Sequence, residues 1–188
     1  VSHGLRTPLN AINGITYLLL QEKPKVSQLN YLKSLEFSGN YLLNFINDIL
    51  EINRLESDKV VLEKINFNLP ELTENIVTSF KEFIHENNIK CHLNIDKSIN
   101  YNLKGDPTKL SQILINLLNN AIKFSKNGDV WCNIIKKSET TDNVTLYFEI
   151  KDNGIGIPKD KQETIFDSFS QGSVEINRTY GGTGLGLS

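Results

Sequence analysis

The spacing of apolar residues changes near residue 58, and this change constrains the fold more than any other feature of the chain. Before it, apolar side chains recur at steps of three and four residues, as at Leu5 and Leu9, which places them on one face of a helix. After it, alternating segments such as 144–151 indicate half-buried strands between further helices. The sequence therefore predicts a helical hairpin over residues 1–58 and an α+β domain over residues 59–188.

The hairpin is predicted to contain helices at 1–22 and 28–57. Pro24 ends the first helix, and Ser27 is a candidate N-cap of the second. The apolar stripe of the second helix is too wide for one partner helix to cover. A second copy of the hairpin would cover it in a four-helix bundle, so we expect a homodimer.

The second domain is divided by local start and stop signals. The predicted elements are a strand at 60–66, a helix at 69–88, strands at 89–95 and 101–104, a helix at 107–126, strands at 130–135 and 144–151, and a short helix at 158–166. Asp106-Pro107 is the clearest signal, an N-cap followed by proline at the first helical position. Because neither end of the chain has a terminating element, we expect a fragment of a longer protein with an incomplete second domain.

Composition excludes two kinds of partner. The chain has 20 Lys and Arg against 22 Asp and Glu, so it lacks the broad positive field of a nucleic-acid binder. No apolar run approaches the roughly 18 residues of a membrane span, so we expect no direct membrane contact within the fragment. Two cysteines, Cys91 and Cys132, are too few for a disulfide framework and fit a reducing, cytoplasmic compartment.

Two glycine-rich segments are candidates for ligand contact. Asp152, Gly154 and Gly156 directly follow the last predicted strand, where glycines let the backbone approach a ligand and a carboxylate can accept from an exocyclic amine. The segment is equally compatible with an ordinary turn. The segment 180–187 has four glycines in six residues, whose N–H groups could face phosphate oxygens, although such clusters also occur as linkers.

A polar stripe marks the helix that starts at Pro107. Asn116, Asn120 and Lys123 stand at i, i+4 and i+7, on one helix face. Amide oxygens suit Mg²⁺ and an ammonium suits phosphate, so the stripe could meet a metal–phosphate group. A solvated helix face is the commoner explanation of such a pattern.

The start of the chain carries a histidine beside a helical proline. Pro8 removes the hydrogen bond to the carbonyl of Gly4 and predicts a bend one turn after His3. Thr7 lies on the same helix face as His3, four residues on.

Taken in chain order, these segments resemble the motifs of sensor histidine kinases. They correspond to the H-box at His3, the N-box at 116–124 and two glycine boxes, and 165–171 resembles the F-box of that family. The resemblance covers nearly the whole chain, and residues 170–182 are similar to the lid of the hybrid type.

The resemblance implies a fold and a reaction. The first domain would be the dimerisation and histidine-phosphotransfer hairpin, and the second a two-layer α/β sandwich of the Bergerat type, truncated at its C-terminus. His3 would take the γ-phosphoryl group of ATP and pass it to an aspartate of a response-regulator receiver domain. Thr7 would help to hydrolyse the phosphorylated partner.

The resemblance also assigns binding roles. Asp152 would bind the adenine amino group, in a pocket shaped by Gly154 and Gly156. Asn120 would coordinate Mg²⁺, with Asn116 and Lys123 near the phosphates. The family's lid and phosphate-side backbone would include Phe169, Gly182, Thr183, Gly184 and Leu185.

One position departs from the family pattern. Gly4 stands where the family usually has an acid, which would orient the imidazole. We therefore expect slow autophosphorylation unless another acid, such as Glu36 or Asp48, takes that role. A dimeric nucleotide-binding scaffold, or a phosphatase-biased relative, remains an alternative, as does another Bergerat-type ATPase without a phosphohistidine.

Overall fold

The computed structural model describes residues 2–56 and 61–166. The helices of residues 2–56 belong to one compact unit and residues 61–163 to another, and each is described by itself. The expected order, a helical hairpin followed by a mixed α/β unit, is confirmed.

The hairpin consists of α1 (Ser2–Gln21) and α2 (Val26–Glu56). Both predicted helices are confirmed, but α2 begins one residue before Ser27, so this serine lies inside the helix and the prediction of an N-cap was wrong. Instead, the side-chain oxygen of Gln28 accepts from the N–H of Lys25 at 3.1 Å. The turn passes through Lys23, whose φ is +53°.

Two polar pairs fix the register between α1 and α2. Asn13 donates to Asn40 at 2.8 Å, and Arg6 donates to Asn47 at 2.8 Å. In both pairs the two residue numbers add up to 53, as they must where two antiparallel helices stay in one register, so the register is constant over these two helical turns. Glu36 is therefore level with residue 17, about 20 Å along the helix from Gly4 at 1.5 Å per residue. Glu36 of the same hairpin is therefore too far along the helix to orient His3.

A broad apolar face of the hairpin is exposed. Leu9 and Thr16 are buried, whereas Ile15 and Leu18 are 59% and 62% exposed. Such contiguous exposure is typical of a surface that binds a partner. No described helix combines the length and the apolar character that a membrane crossing requires.

The α/β unit contains five strands and three α-helices within the described residues. They are β1 (Ile65–Phe67), α3 (Leu69–Ser79), α4 (Lys81–Glu86), β2 (Lys90–Ile95), β3 (Leu103–Gly105), α5 (Pro107–Phe124), β4 (Asp129–Glu139) and β5 (Val144–Asp152). The main sheet has the order β2-β4-β5, with β2 parallel and β5 antiparallel to β4. A small second sheet pairs β1 with β3 antiparallel.

The strand predicted at 101–104 is found at Leu103–Gly105, the one predicted at 130–135 extends to Glu139, and three further predicted elements differ more substantially. The strand at 60–66 is confined to β1, because β3 offers only three pairing residues before Pro107, which has no N–H. The helix at 69–88 is two helices that meet at Phe80, where the Ser79 hydroxyl donates to the carbonyl of Ile76. The short helix at 158–166 is a single 3₁₀ turn, Lys159–Lys161.

The core lies between the main sheet and the helices α3 and α5. Val130, Cys132 and Ile134 alternate along β4 with side chains that remain partly exposed, so only one face of the sheet is buried. Leu118 and Leu69 are fully buried on the helix side. This arrangement confirms the predicted two-layer α/β architecture.

Candidate functional site

The helix α5 begins where the sequence predicts. The carboxylate of Asp106 accepts from the N–H of Lys109 at 2.9 Å, and its second oxygen accepts from the N–H of Glu63 at 3.1 Å. These backbone N–H groups lower the pKa of Asp106 because they stabilise its charged form. The cap thus ties α5 to the chain that leads into β1.

The polar stripe of α5 lies outside the core. Leu118 and Ile122 are buried, whereas Asn116, Asn120 and Lys123 are only partly buried. Asn116 and Asn120 offer two amide oxygens one turn apart, which are hard ligands of the kind that Mg²⁺ takes. The residue types present on this face therefore fit a metal–phosphate group.

Lys123 supplies positive charge next to these amides. Its ammonium lies 5.0 Å from the centre of the Phe124 ring. Partial burial lowers the pKa of Lys123, because desolvation penalises the charged form. An arriving anion would compensate for this loss of hydration.

The glycine loop, residues 152–156, begins where β5 ends. The N–H of Gly154 donates to the carboxylate of Asp152 at 2.9 Å, and the Asp152 side chain is otherwise exposed. Gly156 has a φ of +68°, a conformation that side chains other than glycine rarely adopt. The loop therefore presents an oriented carboxylate on a backbone fixed by a local hydrogen bond.

The glycine loop contacts the C-terminal end of α5. The N–H of Ile155 donates to the carbonyl of Phe124 at 3.3 Å. A Cβ at Gly154 would lie 2.7 Å from the Phe124 carbonyl carbon and 2.9 Å from the Ser125 hydroxyl oxygen. Only glycine allows this close approach, which holds the Asp152 segment against the helix that carries Lys123.

Two contributors to this junction were missed in the sequence. Ser125 is 1% exposed, and its hydroxyl has no hydrogen-bond partner within the described ranges. The side chain of Asn153 accepts from the N–H of Asp129 at 2.7 Å. Asn153 stands inside the glycine motif, but no sequence pattern indicates a contact between residues 24 positions apart.

The segment around His3 lies in α1. Thr7 is exposed, and Pro8 is accommodated within the helix. Gly4 is exposed, and a Cβ added to it would meet no heavy atom within 4 Å among the described residues. The side chain of His3 lies outside the described part of the structure, as do Phe169, Gly182, Thr183, Gly184 and Leu185.

Two family models match the chain. Residues 1–58 match the His Kinase A (phospho-acceptor) domain, and residues 105–188 match the histidine kinase-, DNA gyrase B- and HSP90-like ATPase. The whole chain is 40% identical, over 187 residues, to the signal transduction histidine-protein kinase BarA of Escherichia coli K12. It spans about a fifth of the length of that relative.

Solved structures resemble the chain as well. The structure of full-length ShkA in complex with AMPPNP aligns with 99% of this chain, and the aligned part makes up 37% of the ShkA chain. The TM-score is 0.76 and the sequence identity is 30%. The catalytic domain of histidine kinase ThkA aligns with 66% of this chain, and the aligned part makes up 76% of that domain's chain. The TM-score is 0.53 and the sequence identity is 31%. The structure of ThkA in complex with the response regulator protein TrrA aligns with 91% of this chain, and the aligned part makes up 49% of the matched chain. The TM-score is 0.57 and the sequence identity is 27%.

Proposed function

The chain belongs to the histidine kinase family, and on that premise we propose that it is the autophosphorylating core of a two-component kinase. In this proposal the α/β unit binds ATP, and His3 in α1 accepts the γ-phosphoryl group. Residues 1–58 form the phosphotransfer hairpin and residues 59–188 the ATP-binding domain. The reaction takes place in the cytoplasm.

The contact between the glycine loop and α5 is the observation that carries this proposal. It joins the exposed Asp152 carboxylate to the helix of the polar stripe, through Gly154 and Phe124. Asp152 binds the adenine amino group, which donates to a carboxylate whose orientation the Gly154 N–H already fixes. Gly156 lets the backbone turn at the edge of this pocket.

The phosphates bind along the stripe. Lys123, whose charge is poorly hydrated, pairs with a phosphate, and Asn116 lies near it. Asn120 would hold Mg²⁺, which would neutralise phosphate charge. Phe169, Gly182, Thr183, Gly184 and Leu185, which lie outside the described residues, are assigned to the lid and its phosphate-side backbone by the family resemblance.

The chemistry of histidine suits the acceptor role. Imidazole has an ordinary pKa of about 6.5, so most of it carries a free lone pair at neutral pH. That nitrogen can attack phosphorus in line, the bond from phosphorus to the bridging oxygen breaks, and ADP leaves. The protein contributes position and charge neutralisation rather than strong base catalysis.

The proposed function implies two protein partners. A second copy of the chain covers the exposed apolar face of the hairpin around Ile15 and Leu18. A receiver domain takes the phosphoryl group from His3 onto an aspartate, and Thr7, one turn from His3, assists the later hydrolysis. The complex of the related ThkA with a response regulator protein supports the second partner.

The alternative is a nucleotide-binding dimeric scaffold, or a relative biased towards phosphatase activity. Gly4 is the observation that favours it, since glycine cannot orient the imidazole of His3 as a carboxylate would. In that case the chain binds nucleotide and either forms no phosphohistidine, as a scaffold, or has only weak kinase activity, as a phosphatase-biased relative.

Incubation with γ-labelled Mg–ATP distinguishes these functions. We expect acid-labile, base-stable label on the parent chain, none on His3→Gln, and a strong reduction in Asn120→Ala. Nucleotide binding without label on His3 would favour the scaffold. Absence of nucleotide binding by the parent chain would refute both.

A further inference from the structure

The register of the main sheet draws attention to Asn153. The antiparallel ladder between β4 and β5 pairs Val130 with Asp152, so the next residues in register are Asp129 and Asn153. The N–H of Asn153 donates to the carbonyl of Asp129 at 3.3 Å, as a continuing ladder requires. The reciprocal bond differs, since the N–H of Asp129 donates at 2.7 Å to the side-chain oxygen of Asn153.

The side chain of Asn153 thus takes the role of its own main-chain carbonyl. Asparagine side chains compete in this way with regular backbone pairing, and they favour turns. The strand ends at Asp152, and the chain turns into the glycine loop while the terminal N–H of β4 remains bonded.

Asp129, the donor of this hydrogen bond, is itself held in the sheet. The ring of His92 on β2 lies 2.8 Å from the carboxylate of Asp129, so Asp129 is anchored to the sheet through its side chain. Gly128 leaves room for the Asn153 amide, because a Cβ there would collide with its oxygen and lie 3.1 Å from the carbonyl oxygen of Ser125. The amide of Asn153 therefore bridges a fixed strand and the loop that contains Asp152.

We propose that Asn153 is a positioning residue for the nucleotide, whose amide oxygen fixes the Asp152 carboxylate by clasping the glycine loop to the first residue of β4. The proposal rests on the proposed function, because it assigns the adenine contact to Asp152. Asn153 acts indirectly, by holding Asp152 and Gly154 in place. It therefore affects the affinity for the nucleotide and leaves the phosphoryl-transfer step unaltered.

The test compares Asn153→Ala with Asn153→Asp, which keeps an acceptor oxygen at the same place. In the nucleotide-free chain, amide hydrogen exchange at Asp129 should become about tenfold faster in Asn153→Ala and change little in Asn153→Asp. The KM for Mg–ATP should rise roughly three- to tenfold in Asn153→Ala, with kcat for phosphohistidine formation within about twofold of the parent. Asn133→Ala, which removes side-chain bonds on the same strand to Asn94 and Glu149, should leave the KM unchanged.

A second variant tests the clasp without touching Asn153. Gly128→Ala should displace the amide and raise the KM like Asn153→Ala. In the Asn153→Ala background it should raise the KM less than in the parent, because only the contact with the Ser125 carbonyl remains. Equal KM values and equal Asp129 exchange in the parent and Asn153→Ala would overturn the positioning role alone. A parent chain that binds no nucleotide would overturn the proposed function and this role with it.

Discussion

The amide nitrogen of Asn13 donates to the side-chain oxygen of Asn40 at 2.8 Å across the hairpin, and the amide oxygen of Asn13 is buried next to Gly39. This oxygen has no hydrogen-bond partner among the described residues, and a Cβ at Gly39 would collide with it. The asparagine therefore fits the hairpin only because α2 has no side chain at that point.

Replacement of Gly39 should reveal this coupling. Alanine is favoured over glycine in a helix by about 1 kcal/mol, so Gly14→Ala, where a Cβ meets nothing within 4 Å, should stabilise the chain by about that amount. Gly39→Ala should gain much less, because it displaces Asn13. In an Asn13→Ala background Gly39→Ala should recover the full gain. Urea unfolding at constant protein concentration measures all four variants, and equal gains at both glycines would contradict the account.

Gly4→Glu should accelerate phosphohistidine formation. Gly4 is exposed and a Cβ there meets no described atom within 4 Å, so the backbone of α1 accepts a side chain at this position. If an acid there orients the imidazole of His3, the rate should rise at least about tenfold. Gly4→Gln matches the length and much of the helix propensity without the charge. A rate equal to that of the parent in Gly4→Glu would show that this position has no such role.

Lys123→Met should separate stability from nucleotide binding. Burial lowers the pKa of Lys123, so the charged lysine destabilises the folded state, and this penalty is relieved as pH rises through its lowered pKa. Methionine keeps the apolar stem and removes the charge, so this pH dependence should disappear from the thermal unfolding of the nucleotide-free chain. Affinity for Mg–ATP should fall roughly ten- to a hundredfold, since a charged hydrogen bond is lost. Lys126→Met, an exposed lysine just beyond α5, controls for net charge.

The cap of α5 should determine part of the acid sensitivity. Because N–H groups of Lys109 and Glu63 lower the pKa of Asp106, its stabilisation is complete above the unfolded value of 3.8 and is lost as pH falls through the folded pKa. Asp106→Asn keeps a capping oxygen and should flatten this acid limb in thermal unfolding between about pH 5 and pH 2. Asp106→Ala should be less stable at every pH. An unchanged acid limb in Asp106→Asn would contradict this assignment.

Local signals explain which parts of the fold could be predicted. The start of α5 depends on Asp106 and Pro107, which are adjacent in sequence, and its burial follows from the spacing of Leu114, Leu118 and Ile122. The break at Phe80 depends on a side-chain hydrogen bond from Ser79 to the carbonyl of Ile76, which apolar periodicity does not reveal. The short β1 depends on β3, a distant segment of the chain, so periodicity alone missed it as well.

The site shows the same division. The sequence identified both glycines of the loop, but it could not distinguish why each is needed. Gly156 is required for its positive φ, whereas Gly154 is required because the end of α5, at Phe124 and Ser125, leaves no room for a Cβ. The second reason is a contact between segments about 30 residues apart, which no local pattern encodes.

The mixed direction of the main sheet has a consequence for folding kinetics. β4 and β5 are joined by a tight turn in which Thr140 N–H donates to the carbonyl of Asn143 at 2.8 Å, so this hairpin can close within microseconds by local search. Lys90 pairs with Asp129 across 39 positions, and β3 and α5 lie in the intervening chain. Closure of that longer loop costs more entropy, so docking of β2 onto a preformed β4–β5 hairpin should limit the refolding rate of the α/β unit.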